Sequence, residues 1–274
     1  MTAGGALHTV AAMPAQGDDA GDPVSRISQA YPDRVEVRGR DLSGELMGRL
    51  SFTEYFHLLL TGDEPSDDQR YFLDLLLVAI AEHGMMPTNV AARMTLAADP
   101  ASLQGAVAAG ILGCGPVILG TSEECARLLE AAHEKVASGA AREAIAAEMA
   151  GAIRGSGERM PGFGHPVHRP RDPRAERILE LADARHVSGA HVALARCFRD
   201  AVAEAWGKPL TMNVSMPIAA VMLDLGFAPD AVKAVPILAR TAGLLAHLAE
   251  ERHHPLGLLM AARAEEAITY EPPP

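Results

Sequence analysis

The chemistry of this chain concentrates in one loop. It reads Met160, Pro161, Gly162, Phe163, Gly164, His165, Pro166, Val167, His168, Arg169, Pro170, Arg171, Asp172, Pro173, Arg174. Glycine lets the backbone approach a ligand closely and leaves N–H groups free to meet it, while proline holds a turn rigid. The histidines and arginines gather positive charge in a chain whose formal net charge is -11. A local basic cluster in an acidic protein predicts a bound anion, the alternative being a solvated basic loop. A second cation, Arg240, sits in the apolar helical pattern Ala239, Arg240, Thr241, Ala242, Gly243. Buried there, it needs a partner: either a ligand carboxylate held bidentately or a structural ion pair. His83 closes a strong helix, as a solvated cap or as a ligand, and His247 reads as a core or interface residue.

Helices must position these groups. Hydrophobic residues make up 49% of the 274 and aromatic residues only 4%, which favours Ala- and Leu-rich helices over a sheet. The expected fold is all-α. After a disordered tail at 1–24, a large helical domain spans 25–165 and 237–274, with a small one at 166–236. Apolar spacing and caps predict two short helices within Asp41 to Thr61, meeting near Ser51. Others follow at Asp67 to about His83 (capped by Ser66), Thr88 to Ala98, Ala101 to Leu112 and Glu123 to Val136, the last started by Thr121 and Glu124 at capping-box spacing. Helices at Ala140 to Arg154, Pro173 to Ala184, Ala190 to Trp206 and Val214 to Leu225 lead to Ala231 to Glu251, kinked at Pro236. Asp172 and Pro173 place an N-cap and a first-turn proline, which puts Arg174 in the first turn that follows.

Several classes are set aside. A pI near 5.4 argues against a nucleic-acid partner, which selects clustered Lys and Arg. Cys114, Cys125 and Cys197 form no paired motif, so a reducing cytoplasm is expected, with neither a disulfide framework nor a metal site. The opening residues lack the pattern of a secretory signal. No apolar run approaches the ~20 residues of a membrane span.

The segment PGFGHPVHRPRDPRA, Pro161 to Ala175, closely resembles the signature of the citrate synthase superfamily. Val35 to Pro65 is similar to that family's amino-terminal region, and Ala81 to Arg93 to its first histidine segment. Ala239 to Arg252 with the closing ITYEPPP is similar to the carboxyl end of citryl-CoA lyases and of the lyase portion of ATP-citrate lyase. The resemblance implies a large and a small helical domain, a homodimer, and an active site that domain closure shields from water. It also implies that His83 and His165 bind the keto acid or citrate hydroxyl, and that Arg174 and Arg240 clamp its carboxylates. Pro161, Gly162, Phe163 and Gly164 would receive the adenine of coenzyme A, and Arg169 would lie near its phosphates.

Two positions depart from the pattern. The family's GPLHGGANE-like turn reads here Gly115, Pro116, Val117, Ile118, Leu119, Gly120, Thr121, Ser122, Glu123, with Ile118 in place of the histidine. The NVDF-like segment reads Asn213, Val214, Ser215, Met216, with Ser215 in place of the aspartate. Chemistry beside a thioester passes through an enolate, which needs a base at carbon and a donor to oxygen. Ile118 does neither, and Ser215 donates a hydrogen bond but is a poor base. Glu82, Glu123 or His168 is a candidate to take over proton transfer, the sequence not choosing among them, and Arg252 and Arg263 match a partner-subunit arginine imperfectly. The expected activity is cleavage of a 3-hydroxyacyl-CoA such as citryl-CoA into acetyl-CoA and oxaloacetate, or the reverse condensation. The alternatives are a carbon–carbon ligase, lyase or decarboxylase on another acyl-CoA, and a non-catalytic sensor of coenzyme A or a tricarboxylate.

Overall fold

The structure, a computed structural model, describes residues 24–115 and 117–273. The tail expected at 1–24 lies outside the described residues except for Val24, as does Pro116. The described residues form two compact units that meet in sequence at Asp63 and Glu64.

In the first unit, strands β1 (Ser28–Ala30), β2 (Val35–Val37) and β3 (Arg40–Asp41) form an antiparallel sheet in that order. Val37 faces Ser28 on one side and Arg40 on the other. Composition gave no warning of this sheet. Its signal is the turn at Arg38 and Gly39, both at positive φ, which suits a two-residue hairpin. The Asp41 carboxylate then accepts the N–H groups of Ser43 and Gly44 and starts a π-helical turn, Leu42–Leu46. Of the two helices expected here the first is only that five-residue turn; the second, α1 (Phe52–Thr61), begins at Ser51 with a full capping box to Glu54 and ends at Gly62 in the left-handed conformation. Val37, Leu46 and Leu58 form the core of this unit.

The second unit is helical: α2 (Asp67–Ala81), α3 (Pro87–Ala98), α4 (Leu103–Leu112), α5 (Thr121–Ala137), α6 (Arg142–Ser156), α7 (Pro173–Ala184), α8 (Ala190–Trp206), α9 (Ser215–Asp224), α10 (Pro229–Val232), α11 (Ala234–Glu251) and α12 (Gly257–Ala267). Residues 215–223 of α9 are all buried, the mark of a helix surrounded on every side, and α5, α7 and α8 pack around it. At its end Asp224 accepts the N–H groups of Gly189, His191 and Val192 and so caps α8 from another helix. Helix α11 packs on α2, α3 and α4, with Leu244 and Leu248 meeting Ala92, Leu96 and Ala106.

Three expectations change. Helix α5 starts at Thr121 with Gly120 as its cap and no capping side-chain bond, so Thr121 lies inside the first turn and the Thr121–Glu124 box does not form. The break near the end of the chain falls at Lys233, between α10 and α11. Pro236 therefore sits in the first turn of α11, where the missing N–H costs nothing. Finally, Pro229–Glu251 spans 23 residues with a mean hydropathy of 1.3 in its most apolar stretch, enough by length and composition to cross a membrane. Here it is broken, packs against three helices, and buries Arg240 and Glu251.

Close packing makes a sharp prediction. A Cβ on Gly243 would lie 2.1 Å from the Ala81 carbonyl oxygen, whereas one on Gly151 would meet nothing within 4 Å. In urea unfolding, Gly243→Ala loses at least about 1–3 kcal/mol of stability. Gly151→Ala in the exposed middle of α6 is neutral or gains up to about 1 kcal/mol.

Candidate functional site

A cavity of about 1100 Å³ opens within the second unit. One wall comes from the end of α2 and the turn after it, through Ile80, His83, Met86 and Pro87. A second comes from the turn before α5, through Val117, Ile118 and Leu119, and continues to Thr121 and Glu124 on α5 itself. The glycine-rich loop contributes Glu158 to Pro161, Phe163, Gly164, His165 and Pro166. Arg174, Asn213, Val214, Ser215 and Arg240 complete the lining.

His83 is aimed by its neighbour. The Glu82 carboxylate accepts the N–H groups of His83 at 2.8 Å and Gly84 at 2.6 Å, and its other oxygen lies 2.9 Å from His247 Nε2. Burial pushes the Glu82 carboxyl up, but His247 and the two amides outweigh it and hold the group below its ordinary value. His247 in turn accepts Arg93 Nε at Nδ1, 3.0 Å away, which leaves its proton on Nε2, facing Glu82. His247, largely buried between Arg93, Asn89 and Glu82, thus stands in the core behind the site.

Three imidazoles meet at the cavity. The His165 and His168 rings stack with centroids 4.3 Å apart, and His168 Nε2 lies 3.3 Å from His83 Nε2. His165 Nδ1 accepts the N–H groups of Val167 at 3.1 Å and His168 at 2.8 Å. Its neutral ring therefore carries the proton on Nε2, which faces Arg174 Nη2 at 3.4 Å. Two donors point at the same space, so an oxygen acceptor belongs between them. Burial, then Arg174 and His168, lower the His83 pKa. Burial, then His168, Arg174 and His83, lower that of His165, against a smaller opposing pull from Asp172. Sequence spacing offered no metal cluster, yet His83, His165 and His168 bring three nitrogens within 4.8 Å of one another. For His165 to ligate a cation through Nε2, it would have to lose the proton that its Nδ1 bonds require there. With a guanidinium alongside, the group suits an anion better.

The two arginines are held differently. Arg174, in the first turn of α7, pairs with the fully buried Asp172 through Nη2–Oδ2 at 2.8 Å and Nε–Oδ1 at 3.1 Å. Burial raises the Asp172 carboxyl, and the Arg174 guanidinium and N–H overcome it, leaving the pKa lowered. The helix cap predicted from Asp172 thus also aims Arg174. Arg240 is only 2% exposed. Its Nη1 donates to the neutral Asn89 Oδ1 at 3.1 Å, and its buried Nε has no partner. Among the described residues no carboxylate forms an ion pair with it, so the structural salt bridge allowed by the sequence is not what holds it. Burial lowers its pKa, with partial relief from Glu82.

The loop differs from expectation in one respect. Its N–H groups at Phe163, Gly164, Val167 and His168 donate to Met160, Thr211 and His165, so they are not free for a ligand. Gly162, at φ +74°, lies behind the wall, where a Cβ would come within 2.7 Å of Cys125 Sγ and 2.8 Å of Met216 Cβ. Arg169 is exposed and lies off the cavity wall. Ser215 opens α9 with its N–H on Asn213 Oδ1, and both Ser215 and Ile118 face the cavity. Sequence reasoning missed Asn213, Glu158 and Arg159 as wall residues, and Glu124, which it used only as a cap; no spacing rule singles them out.

Residues 26–259 match the family described as citrate synthase, C-terminal domain. Among solved structures, the citryl-CoA lyase of Hydrogenobacter thermophilus is 29% identical, with a TM-score of 0.80 over 92% of this chain and 96% of that one. The ATP citrate lyase of Methanothrix soehngenii, solved with citrate and coenzyme A, is 21% identical with a TM-score of 0.74; it covers 94% of this chain and 43% of its own, and shows the shared fold. Putative citrate synthase 2 of Mycobacterium tuberculosis is 31% identical over 73% of this chain and 52% of its own length. The chain spans about half the length of the curated relatives it matches.

Nuclear magnetic resonance titration checks the electrostatics. The rings of His83 and His165 protonate below the ordinary 6.5, and citrate, by stabilising their charged forms, moves both upward. As pH falls below about 6.5 the unfolded chain takes up these protons first, so both groups withdraw stability on acidification. Titration at or above 6.5 in the free protein contradicts the geometry.

Proposed function

The chain belongs to the citrate synthase family, and from that membership we propose that it is a carbon–carbon lyase of the citryl-CoA type. Its substrate is a 3-hydroxyacyl-CoA such as citryl-CoA, split into acetyl-CoA and oxaloacetate, with condensation as the reverse. The observation that carries this reading is Arg240: a buried cation on the cavity wall whose one hydrogen-bond partner among the described residues is a neutral amide. A substrate carboxylate supplies the missing charge. Likeness to a citryl-CoA lyase along nearly the full length of both chains supports the lyase direction.

Arg174 and Arg240 hold the carboxylates of the substrate. The His165 Nε2–H donates to the hydroxyl oxygen, and neutral His83 takes the hydroxyl proton. The carbon–carbon bond then breaks, and its electron pair passes into the enolate of the thioester. Coenzyme A is bound as part of the substrate, its adenine against Pro161, Phe163 and Gly164, whose turn the buried Gly162 shapes from behind, and its phosphates near the exposed Arg169. A cytoplasmic homodimer, with 166–236 closing over the cavity, completes the proposal.

One observation favours a variant of this reading. Ile118 stands on the wall with Ile80, Val117 and Leu119, an apolar surface that suits an acyl group bulkier than acetyl. Purified protein incubated with citryl-CoA, with longer acyl analogues, and with acetyl-CoA plus oxaloacetate is followed by mass spectrometry of thioester and keto acid. Cleavage is expected, and His165→Ala lowers kcat/KM by about 10²–10⁴-fold. Silence across the panel, with citrate or coenzyme A still binding, refutes the enzyme and leaves a sensor.

A further inference from the structure

Cleavage beside a thioester leaves one proton to be delivered to carbon, and Ile118 and Ser215 cannot supply it. The carboxylates considered from the sequence are committed elsewhere. Glu82 is bound to the His83 and Gly84 amides and His247. Glu123 pairs with Arg127 at 2.8 Å and Lys233 at 3.2 Å. Neither lines the cavity, whereas Glu124 and Glu158 do.

Glu124 is the better placed of the two. It lies one turn after Thr121 on α5, and both face the cavity. Its neighbour Cys125 is fully buried, and a Cβ on Gly162 would meet both Cys125 Sγ at 2.7 Å and Met216 Cβ at 2.8 Å. The first turn of α5, the glycine loop and the start of α9 with Ser215 therefore converge at one point. Among the described residues, the Glu124 side chain makes no hydrogen bond or ion pair. An acid in the first turn of a helix is ordinarily a partner of the helix dipole, but that role does not require it to face a cavity.

Building on the lyase reading, we propose that the Glu124 carboxyl group moves the proton at the carbon next to the thioester carbonyl. In the exchange direction its carboxylate takes a proton from that carbon, the C–H electron pair becomes the enolate double bond, and the carbonyl pair moves onto oxygen. In cleavage the hydroxyl proton goes to imidazole, the carbon–carbon pair becomes the enolate, and the Glu124 carboxylic acid returns a proton to carbon. Exchange with solvent then resets imidazolium and carboxylate.

The test is run in deuterium oxide with the full chain. It reads citryl-CoA cleavage and, separately, exchange of the α-hydrogens of acetyl-CoA in the presence of oxaloacetate. Glu124→Gln is expected to lower both by about 10²–10⁴-fold, with Glu124→Asp recovering part of the loss and the carboxylate limb of the pH–rate profile. Melting temperature and coenzyme A affinity stay at wild-type values, which separates lost chemistry from lost fold. Wild-type exchange in Glu124→Gln overturns the assignment, as does loss of exchange in Glu158→Gln alone. If the wild-type protein exchanges acetyl-CoA but does not cleave citryl-CoA, the lyase reading fails while loss in Glu124→Gln still supports the assignment. Neither activity in the wild type overturns both.

Discussion

The cavity is organised around a guanidinium taken out of water without a carboxylate to meet it. Removing a charge from water costs several kcal/mol even after relaxation, and a partner of opposite charge is the usual remedy. Two buried arginines in this unit show the contrast. Arg93, fully buried, is met by Glu251 at 2.7 Å, by Glu250 and by His247. It ties α3 to α11, while the other oxygen of Glu251 accepts Leu256 and Gly257 at the start of α12. Arg93 is structural and complete. Arg240, two turns before His247 on α11, has among the described residues one neutral acceptor and a bare Nε. The protein leaves its charge facing the cavity.

The remaining site groups are arranged so that they do not neutralise it. The Asp172 carboxylate is engaged by Arg174, and that of Glu82 by two amides and His247. Each imidazole is held by the fold, His165 through the amides of its own loop and His83 through the turn fixed by Glu82. Burial and neighbouring cations keep both rings neutral at neutral pH, ready to exchange a proton with a ligand oxygen. The result is an anion site made of donors, with an apolar wall around Ile118.

Much of this was legible in the residues. The segment Pro161 to Arg174 announced itself by glycine, proline and charge, and Arg240 by lying inside an apolar pattern. Helix ends followed where a cap is a local event, as at Ser51, Ser66 and Asp172. What escaped depends on distance in sequence or on very short elements. A three-residue strand has too little alternation to register, so the hairpin around Arg38 was missed. His168 meets His83 across 85 residues, and no spacing rule reports such a pair. The internal use of the loop amides depends on Thr211, and the exposure of Glu124 to the cavity on how α5 meets α9. Both are tertiary facts.

Calorimetric titration of citrate into the wild-type protein and Arg240→Met is the most direct measurement of the central claim. The account predicts that affinity falls about ten- to hundredfold, the worth of a charge-assisted hydrogen bond, while the ligand-free variant melts no lower than the wild type because an uncompensated buried charge is gone. Wild-type citrate affinity in Arg240→Met would contradict it.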